Sequence, residues 1–370
     1  MQFTASRDEL LKELSLVQGI VERKNTIPIL ANVLIEAVGD KVNFAATDLD
    51  VGLRSSLNAE VAEEGALTLS AKKLFEIVRA VPGKTIEIKE LDNSWASIES
   101  GRSYFKMVGL GKSEFPALAD PPEDTKTVIP GSALSELIQR TSFSITSDDN
   151  RYFLNGARLE LSGDEMKMIA TDGHRLAFAS VKRPHGESAE PDSVIVPKKT
   201  LMELLKMLGD QEQDVEFSQG ENHLFFQLGG RLLVSKKVED QFPAYDKVIP
   251  TENNKTVSCA RDELAGAIKR VSLLANERSR AVRFGIESGK IEVSSQNPEL
   301  GEARESLEAQ YDGDAMQIGF NGQYLLDFLN VADTQNVLFE LKDESSQGLL
   351  RPADDSNERD YRYVVMPMRL

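Results

Sequence analysis

The chain has 370 residues, too many for one ordinary hydrophobic core and enough for two or three domains of roughly 100 to 150 residues each. Hydrophobic residues at 41% and charged residues at 28% argue against a disordered or fibrous chain, and no run of about 18 apolar residues marks a membrane span. A formal net charge of −17 argues against a surface that adheres to nucleic acid all over.

From the N-terminus onward, Met1 to Thr4 show no basic segment leading into an apolar run, so no export signal is expected. Cys259 is the single cysteine, which leaves no intrachain disulfide and no CxxC motif and points to a reducing, cytoplasmic setting. The spacing of Leu10, Leu11, Leu14 and Val17 predicts a first helix, and Ser6 with Glu9 has the spacing of a capping box at its start. Lys41 to Ala46 and Thr85 to Lys89 alternate as half-buried strands do, and between them Leu74, Ile77 and Val78 predict a second helix. That helix has counterparts at Leu201, Leu204, Leu205 and Leu208, and again at Leu325, Phe328 and Leu329.

These counterparts belong to a wider internal repeat. Ser6-Arg7-Asp8-Glu9-Leu10 returns as Ala260-Arg261-Asp262-Glu263-Leu264, an offset of 254, which is twice 127. A middle copy, Pro130 to Ile138, keeps the apolar spacing with weaker identities. Ala46-Thr47-Asp48 matches Ala170-Thr171-Asp172, Phe115-Pro116-Ala117 matches Phe242-Pro243-Ala244, and Ala71-Lys72-Lys73-Leu74 matches Pro197-Lys198-Lys199-Thr200, at offsets between 124 and 127. The expected architecture is α+β, with three similar domains at 1–124, 125–252 and 253–370, each two helices packed on a largely antiparallel sheet.

Charge is distributed unevenly over these elements. The six predicted helices together carry +3, so the sheets and loops carry −20. A neutral-to-basic helical face on an acidic body suits a surface that meets phosphates without reading sequence. Any one of the clusters Lys72-Lys73 and Lys198-Lys199 reads equally well as a solvated helix start. Their recurrence at matching positions, where the helix dipole disfavours cations, points to function.

Enzymatic signatures are missing. His174, His185 and His223 lack metal-ligand spacing. Asp172-Gly173-His174-Arg175 looks like an acid–base cluster, but its counterpart Asp48-Leu49-Asp50 has no histidine, so a turn or binding role is expected. Gly111-Lys112-Ser113 resembles the end of a phosphate loop, yet Lys106 stands where that loop needs glycine. No cofactor or metal is expected.

Four segments carry a family resemblance: Thr26-Ile27-Pro28-Ile29-Leu30, Arg151 to Gly156, Ala170 to Leu176, and Tyr363 to Leu370. With them the chain resembles, over essentially its whole length, the bacterial sliding clamps, the beta subunits of DNA polymerase III. The resemblance implies a DNA clamp fold whose head-to-tail homodimer closes as a ring around duplex DNA, with helices inside and sheets outside. It implies a non-catalytic processivity factor, any nucleotidyl transfer belonging to the tethered polymerase. The implied partners are sequence-independent duplex DNA, the clamp loader complex, the DNA polymerase III alpha subunit, and other polymerases and repair proteins that carry short hydrophobic clamp-binding motifs. No membrane partner is implied.

Carried onto this sequence, the family's peptide pocket falls on Leu154, Thr171, Gly173, His174, Arg175, Leu176, Pro243, Val248, Asn321, Tyr324, Val364, Met366, Pro367, Met368 and Leu370. Flexible Met and Leu walls suit a site that accepts many motifs. The DNA contacts fall on Lys24, Lys72, Tyr152 and Phe153, with Lys198 and Lys199 as lining residues. Asp148 departs from the family, which often has a neutral polar residue there, and an acid cannot attract phosphate. Ring closure would join Phe105 and Met107 to Leu273 and Leu274, with Lys73 and Arg102 near Glu299 and Glu305. The competing readings are a peptide-binding repeat scaffold that does not encircle DNA and a phosphoryl-transfer enzyme.

Overall fold

The computed structural model describes residues 1–21, 27–122, 126–146, 149–182, 192–209, 213–354 and 359–369, with the backbone alone at 149, 150, 152 and 192. Among the described residues, six α-helices fall where the sequence pattern predicts them: α1 Arg7–Ile20, α2 Ala71–Ala80, α3 Gly131–Thr141, α4 Lys198–Leu208, α5 Arg261–Val271 and α6 Gly322–Val331. Each turns its aliphatic stripe inward: Leu10, Leu14 and Val17 on α1, Leu74 and Val78 on α2, and Leu325, Phe328 and Leu329 on α6 are buried. The described strands pair antiparallel in sheets of thirteen, eight and four strands. The α+β reading holds.

The chain divides into two compact units, Met1–Ser132 with Lys199–Lys237, and Ala133–Lys198 with Val238–Leu370. This division cuts through the middle repeat because the backbone ladders run past repeat boundaries. In the first unit Val51–Asn58 pairs with Arg231–Lys236, Gly52 opposite Val234. In the second, Arg175–Lys182 pairs with Arg359–Val365, Ala177 opposite Tyr363. A sheet edge left unpaired is a liability, and these ladders remove it at each junction.

The repeated Arg7 and Arg261 have a structural task that spacing did not suggest. Arg7 donates from Nε to the Val78 carbonyl (3.1 Å) and from Nη2 to the Arg79 carbonyl (2.8 Å), covering the open C-terminal end of α2. Arg261 Nη1 does the same for the Ala332 carbonyl just past α6 (2.8 Å). The capping box, by contrast, does not form: Ser6 ends a strand opposite Thr85 and makes no side-chain cap, while the first helical N–H, that of Arg7, is satisfied by the Lys84 carbonyl (2.9 Å). In the middle repeat Gly131 stands where the arginine would be expected. A Cβ there would overlap the Gln213 carbonyl oxygen, so this approach of backbone to backbone requires glycine.

Candidate functional site

The second unit builds its site on a turn between the strands Glu165–Thr171 and Arg175–Lys182. Asp172 Oδ1 accepts from the N–H groups of His174 (2.9 Å) and Arg175 (3.0 Å), while Thr171 Oγ1 donates to the Arg175 carbonyl (2.6 Å). Gly173 sits at φ 86°, a left-handed conformation for which glycine carries no Cβ penalty. The Asp-Gly-His-Arg cluster is thus a structural turn, and Asp172 is occupied in holding it.

Arg175 anchors this turn from below. Its guanidinium donates to Asp172, Asp327 and the Phe143 carbonyl, and lies 4.3 Å from the centre of the Tyr324 ring. Burial acts to lower its pKa, but the contacts with Tyr363, Asp327 and Asp172 outweigh that and raise it. Tyr363, itself buried and with its phenol pushed upward by that burial, donates to the Tyr324 carbonyl (2.9 Å).

Above the turn is an apolar cavity of about 140 Å³, lined by Leu154, Thr171, Gly173, His174, Arg175, Leu176, Pro243, Tyr245, Val248, Val364 and Met366. Its floor belongs to a cluster in which Ile169, Leu176, Phe178, Phe242 and Val364 are buried together. Met366 is half exposed at the rim, and its N–H is held by the His174 carbonyl (2.9 Å). Ten of the expected peptide-binding residues therefore meet at one hollow.

Tyr245 is the lining residue that the sequence reading missed. Its hydroxyl donates to Glu160 (3.2 Å), and burial followed by that carboxylate pushes the phenol up to about 12. The signal was one position away, beside the repeated Phe242-Pro243-Ala244, but the first copy has Leu118 there and identity matching passes over it.

Other expected members lie elsewhere. Asn321 caps α6 by accepting from the Gln323 N–H (2.9 Å), and Tyr324 lies under Arg175. Pro367 is half-buried outside the cavity lining; Met368 donates its N–H to the Gly319 carbonyl (2.8 Å) and lines a separate groove with Arg304. Leu370 falls outside the described residues.

Of the expected DNA contacts, Lys24, Asp148 and the Tyr152 side chain fall outside the described residues, and Phe153 is half-buried. Lys72 is exposed on α2, 3.9 Å from Glu76. Lys73 is 2.8 Å from the same carboxylate, and it chiefly holds Glu76 below its usual pKa. Lys199, expected as a lining residue, is engaged within its own chain: its ammonium donates to the Ile20 carbonyl (2.6 Å) and pairs with the buried Asp48 carboxylate. Lys198 donates to the Ile145 carbonyl (3.3 Å), and burial, with Arg175 nearby, lowers its pKa.

At the expected subunit contact, Phe105 and Met107 are half-buried on the face of Ile98 and Ala96, while Tyr104 and Val108 alternate outward. Their strand pairs with Gly65–Ser70 only through Gly109 to Gly111, which leaves one edge of 103–108 without a partner among the described pairings. Gly301–Glu308 is likewise the terminal strand of its sheet. Leu273 is 79% exposed, and Leu274 is half-buried beside it. Glu305 already pairs with Arg270 of its own chain (2.8 Å), and Glu299 and Arg102 are exposed.

Among the described residues no group of three or more His, Cys, Asp or Glu is placed to hold a metal, and no helix is long and apolar enough to cross a membrane.

Paired helices on antiparallel sheets, repeated along one chain with an apolar hollow beside a repeat connector, define a clamp-fold protein. The sequence matches the N-terminal domain of the DNA polymerase III beta subunit over residues 1–119, the central domain over 128–244 and the C-terminal domain over 246–369. It is 38% identical to the beta sliding clamp of Pseudomonas aeruginosa and 36% identical to that of Escherichia coli K12, covering all of each chain. Its fold is similar to the crystal structure of the Pseudomonas aeruginosa DNA polymerase sliding clamp, with a TM-score of 0.91, 38% identity and full coverage of both chains. Against the Bacillus subtilis sliding clamp the TM-score is 0.93 at 29% identity, covering 100% of this chain and 99% of that one. The chain belongs to the DNA polymerase III beta subunit family: it is a DNA sliding clamp, a non-catalytic processivity factor.

Proposed function

We propose that two copies of this chain join head to tail into a ring around duplex DNA, each contributing three repeats divided near residues 125 and 252. The observation that carries this reading is the partition of charge. The six helices together carry +3 and the remainder of the chain −20, so helices facing a central channel would tolerate phosphate while the outer surface repels it. Lys24, Lys72, Tyr152, Phe153 and Lys198 are the proposed contacts; Lys199 would act by fixing the turn at Asp48.

Closure would bring the open edge of 103–108 against the open edge of Gly301–Glu308 of the second copy. Arg102 and Lys106 on one side face Glu299, Glu302 and Glu308 on the other, around an apolar centre of Phe105, Met107, Leu273 and Leu274. The cavity beneath Met366 would take short hydrophobic motifs from the DNA polymerase III alpha subunit, the clamp loader and other polymerases and repair proteins, in the cytoplasm. A Pseudomonas aeruginosa clamp has been crystallised bound to griselimycin, which supports a ligand-accepting surface in the family.

The test is retention of loader-assembled protein on a nicked DNA circle, before and after the circle is cut. A ring stays on the circle and runs off the new ends. Protein that remains bound after cutting holds DNA by surface contact, and a scaffold that only binds peptides never loads at all; either result ends the ring reading.

A further inference from the structure

We propose that the first repeat carries a second copy of the peptide site, kept closed by the chain's own connector, with Leu118 as internal ligand and Arg54 as latch. The name "peptide site" rests on the function proposed above for the second unit; the self-occupied copy stands on the geometry of the first unit.

The two repeats build the same turn. Asp48 Oδ1 accepts from the N–H groups of Asp50 (2.9 Å) and Val51 (2.7 Å), and Thr47 Oγ1 donates to the Val51 carbonyl (3.0 Å), as Asp172 and Thr171 do in the second copy. Leu49 is held at φ 81° where the second copy has Gly173 at 86°. A non-glycine residue in that region costs energy and persists only where its surroundings enforce it. The strand registers agree as well: Gly52 pairs with Thr47 as Leu176 pairs with Thr171.

The difference lies in what fills the hollow. Leu176, a wall of the open cavity, is replaced by Gly52, and a Cβ at Gly52 would overlap Leu118 Cδ2. Leu118 is itself the counterpart of Tyr245, by the match of Phe115-Pro116-Ala117 with Phe242-Pro243-Ala244. Thus the first connector drops an aliphatic side chain onto the position from which the second repeat builds its cavity wall. Phe178, whose ring lies 6.1 Å from that of Tyr245, has Arg54 as its counterpart. Arg54 Nη2 donates to the Leu118 carbonyl (2.5 Å) and Nη1 pairs with Asp120.

An open groove of about 570 Å³ runs alongside, with Phe44, Arg54, Phe115, Leu118 and Asp120 on its walls. The ligand this site takes is therefore defined by the segment already in it: a short peptide with leucine followed two residues later by aspartate. Leucine fills the space over glycine, and the guanidinium binds the leucine carbonyl and the acid together. A partner segment of that chemistry competes with the connector for the same place. While the connector stays in, this copy of the site is closed to partners.

The experiment uses the full chain with Leu118→Gly and a synthetic peptide of residues 115–120, blocked at both ends, followed by calorimetry. The variant is expected to bind one equivalent, with at least tenfold higher affinity than the unsubstituted chain, and adding Gly52→Leu should abolish it. Binding that survives Gly52→Leu but vanishes with Val248→Asp belongs to the second unit's pocket and overturns the inference, as does a folded variant that binds nothing. Should Leu118→Gly fail to fold, Arg54→Gln with hydrogen exchange of the 115–120 amides decides. Exchange at least tenfold faster supports the latch, and unchanged exchange refutes it. Loss of polymerase-peptide binding by the unsubstituted chain would sink the second unit's assignment and leave this one standing.

Discussion

Arg175 Nη1 lies 2.5 Å from Asp327 Oδ2, so the turn that shapes the cavity is tied to a helix 152 residues further along the chain. Asp327 is itself held by Gln323 Nε2 (2.8 Å), one turn earlier on α6. Both partners are largely buried, and a charge left alone in such a place is costly.

Asp327→Ala should therefore lower stability by about 3 kcal/mol, the low end for breaking a buried ion pair since Asp327 retains some exposure. Asp327→Asn, which can still bond Gln323, should lose less. Urea unfolding of the two variants measures this; a loss for the alanine variant within about 0.5 kcal/mol, as at an ordinary surface site, would mean the pair does not hold the turn.

Removal of Met366 to Leu370 should abolish binding of a polymerase alpha-subunit peptide while leaving the dimer intact. Met366 stands at the cavity rim, and although Met368 lines a groove with Arg304, none of the deleted residues is among the proposed subunit contacts. Fluorescence anisotropy with a labelled peptide, alongside a native mass, checks both halves. Unchanged affinity would refute the pocket assignment.

Replacing Leu273 and Leu274 together by alanine should yield monomers with little loss of fold stability. Leu273 is 79% exposed in the isolated chain, so its apolar surface has little to lose within one copy and much to gain from a second. Sedimentation at micromolar concentration reads the mass, and an unaltered dimer would remove these residues from the interface.

Cys259 is buried, and that burial, with Glu263 nearby, pushes its thiol up to about 12. Because the folded state holds this proton more tightly than the unfolded chain, Cys259 makes stability fall as pH rises from about 9 toward 12. At pH 8 iodoacetamide should label it only in denaturant; rapid labelling of the native protein would contradict its burial.

Gly131→Ala should cost about 1 to 3 kcal/mol, since the added methyl must displace the Gln213 carbonyl. A thermal melt indistinguishable from that of the parent chain would show that the backbone there gives way freely.

What the sequence alone determined was local and repeated. Apolar spacing located all six helices, because the period of a buried stripe follows from helix geometry whatever it packs against. Matching segments revealed the repeat, and family resemblance brought together ten of the cavity residues. Partnerships between distant side chains were not legible. Lys199 follows Lys198 in a segment that reads as a solvated basic start, yet its ammonium is bound to Asp48, 151 residues away. Arg175 reads as a pocket residue and does line the cavity, but its pairing with Asp327, 152 residues away, is not written in its neighbours. Extending the Phe-Pro-Ala match by one residue places Leu118 and Tyr245 at one repeat position, but only packing sets Leu118 over Gly52 and Tyr245 in a cavity wall. Periodicity is a property of a few neighbouring residues, whereas a buried charge or a filled hollow depends on which remote segment arrives there, and that is decided by the tertiary fold.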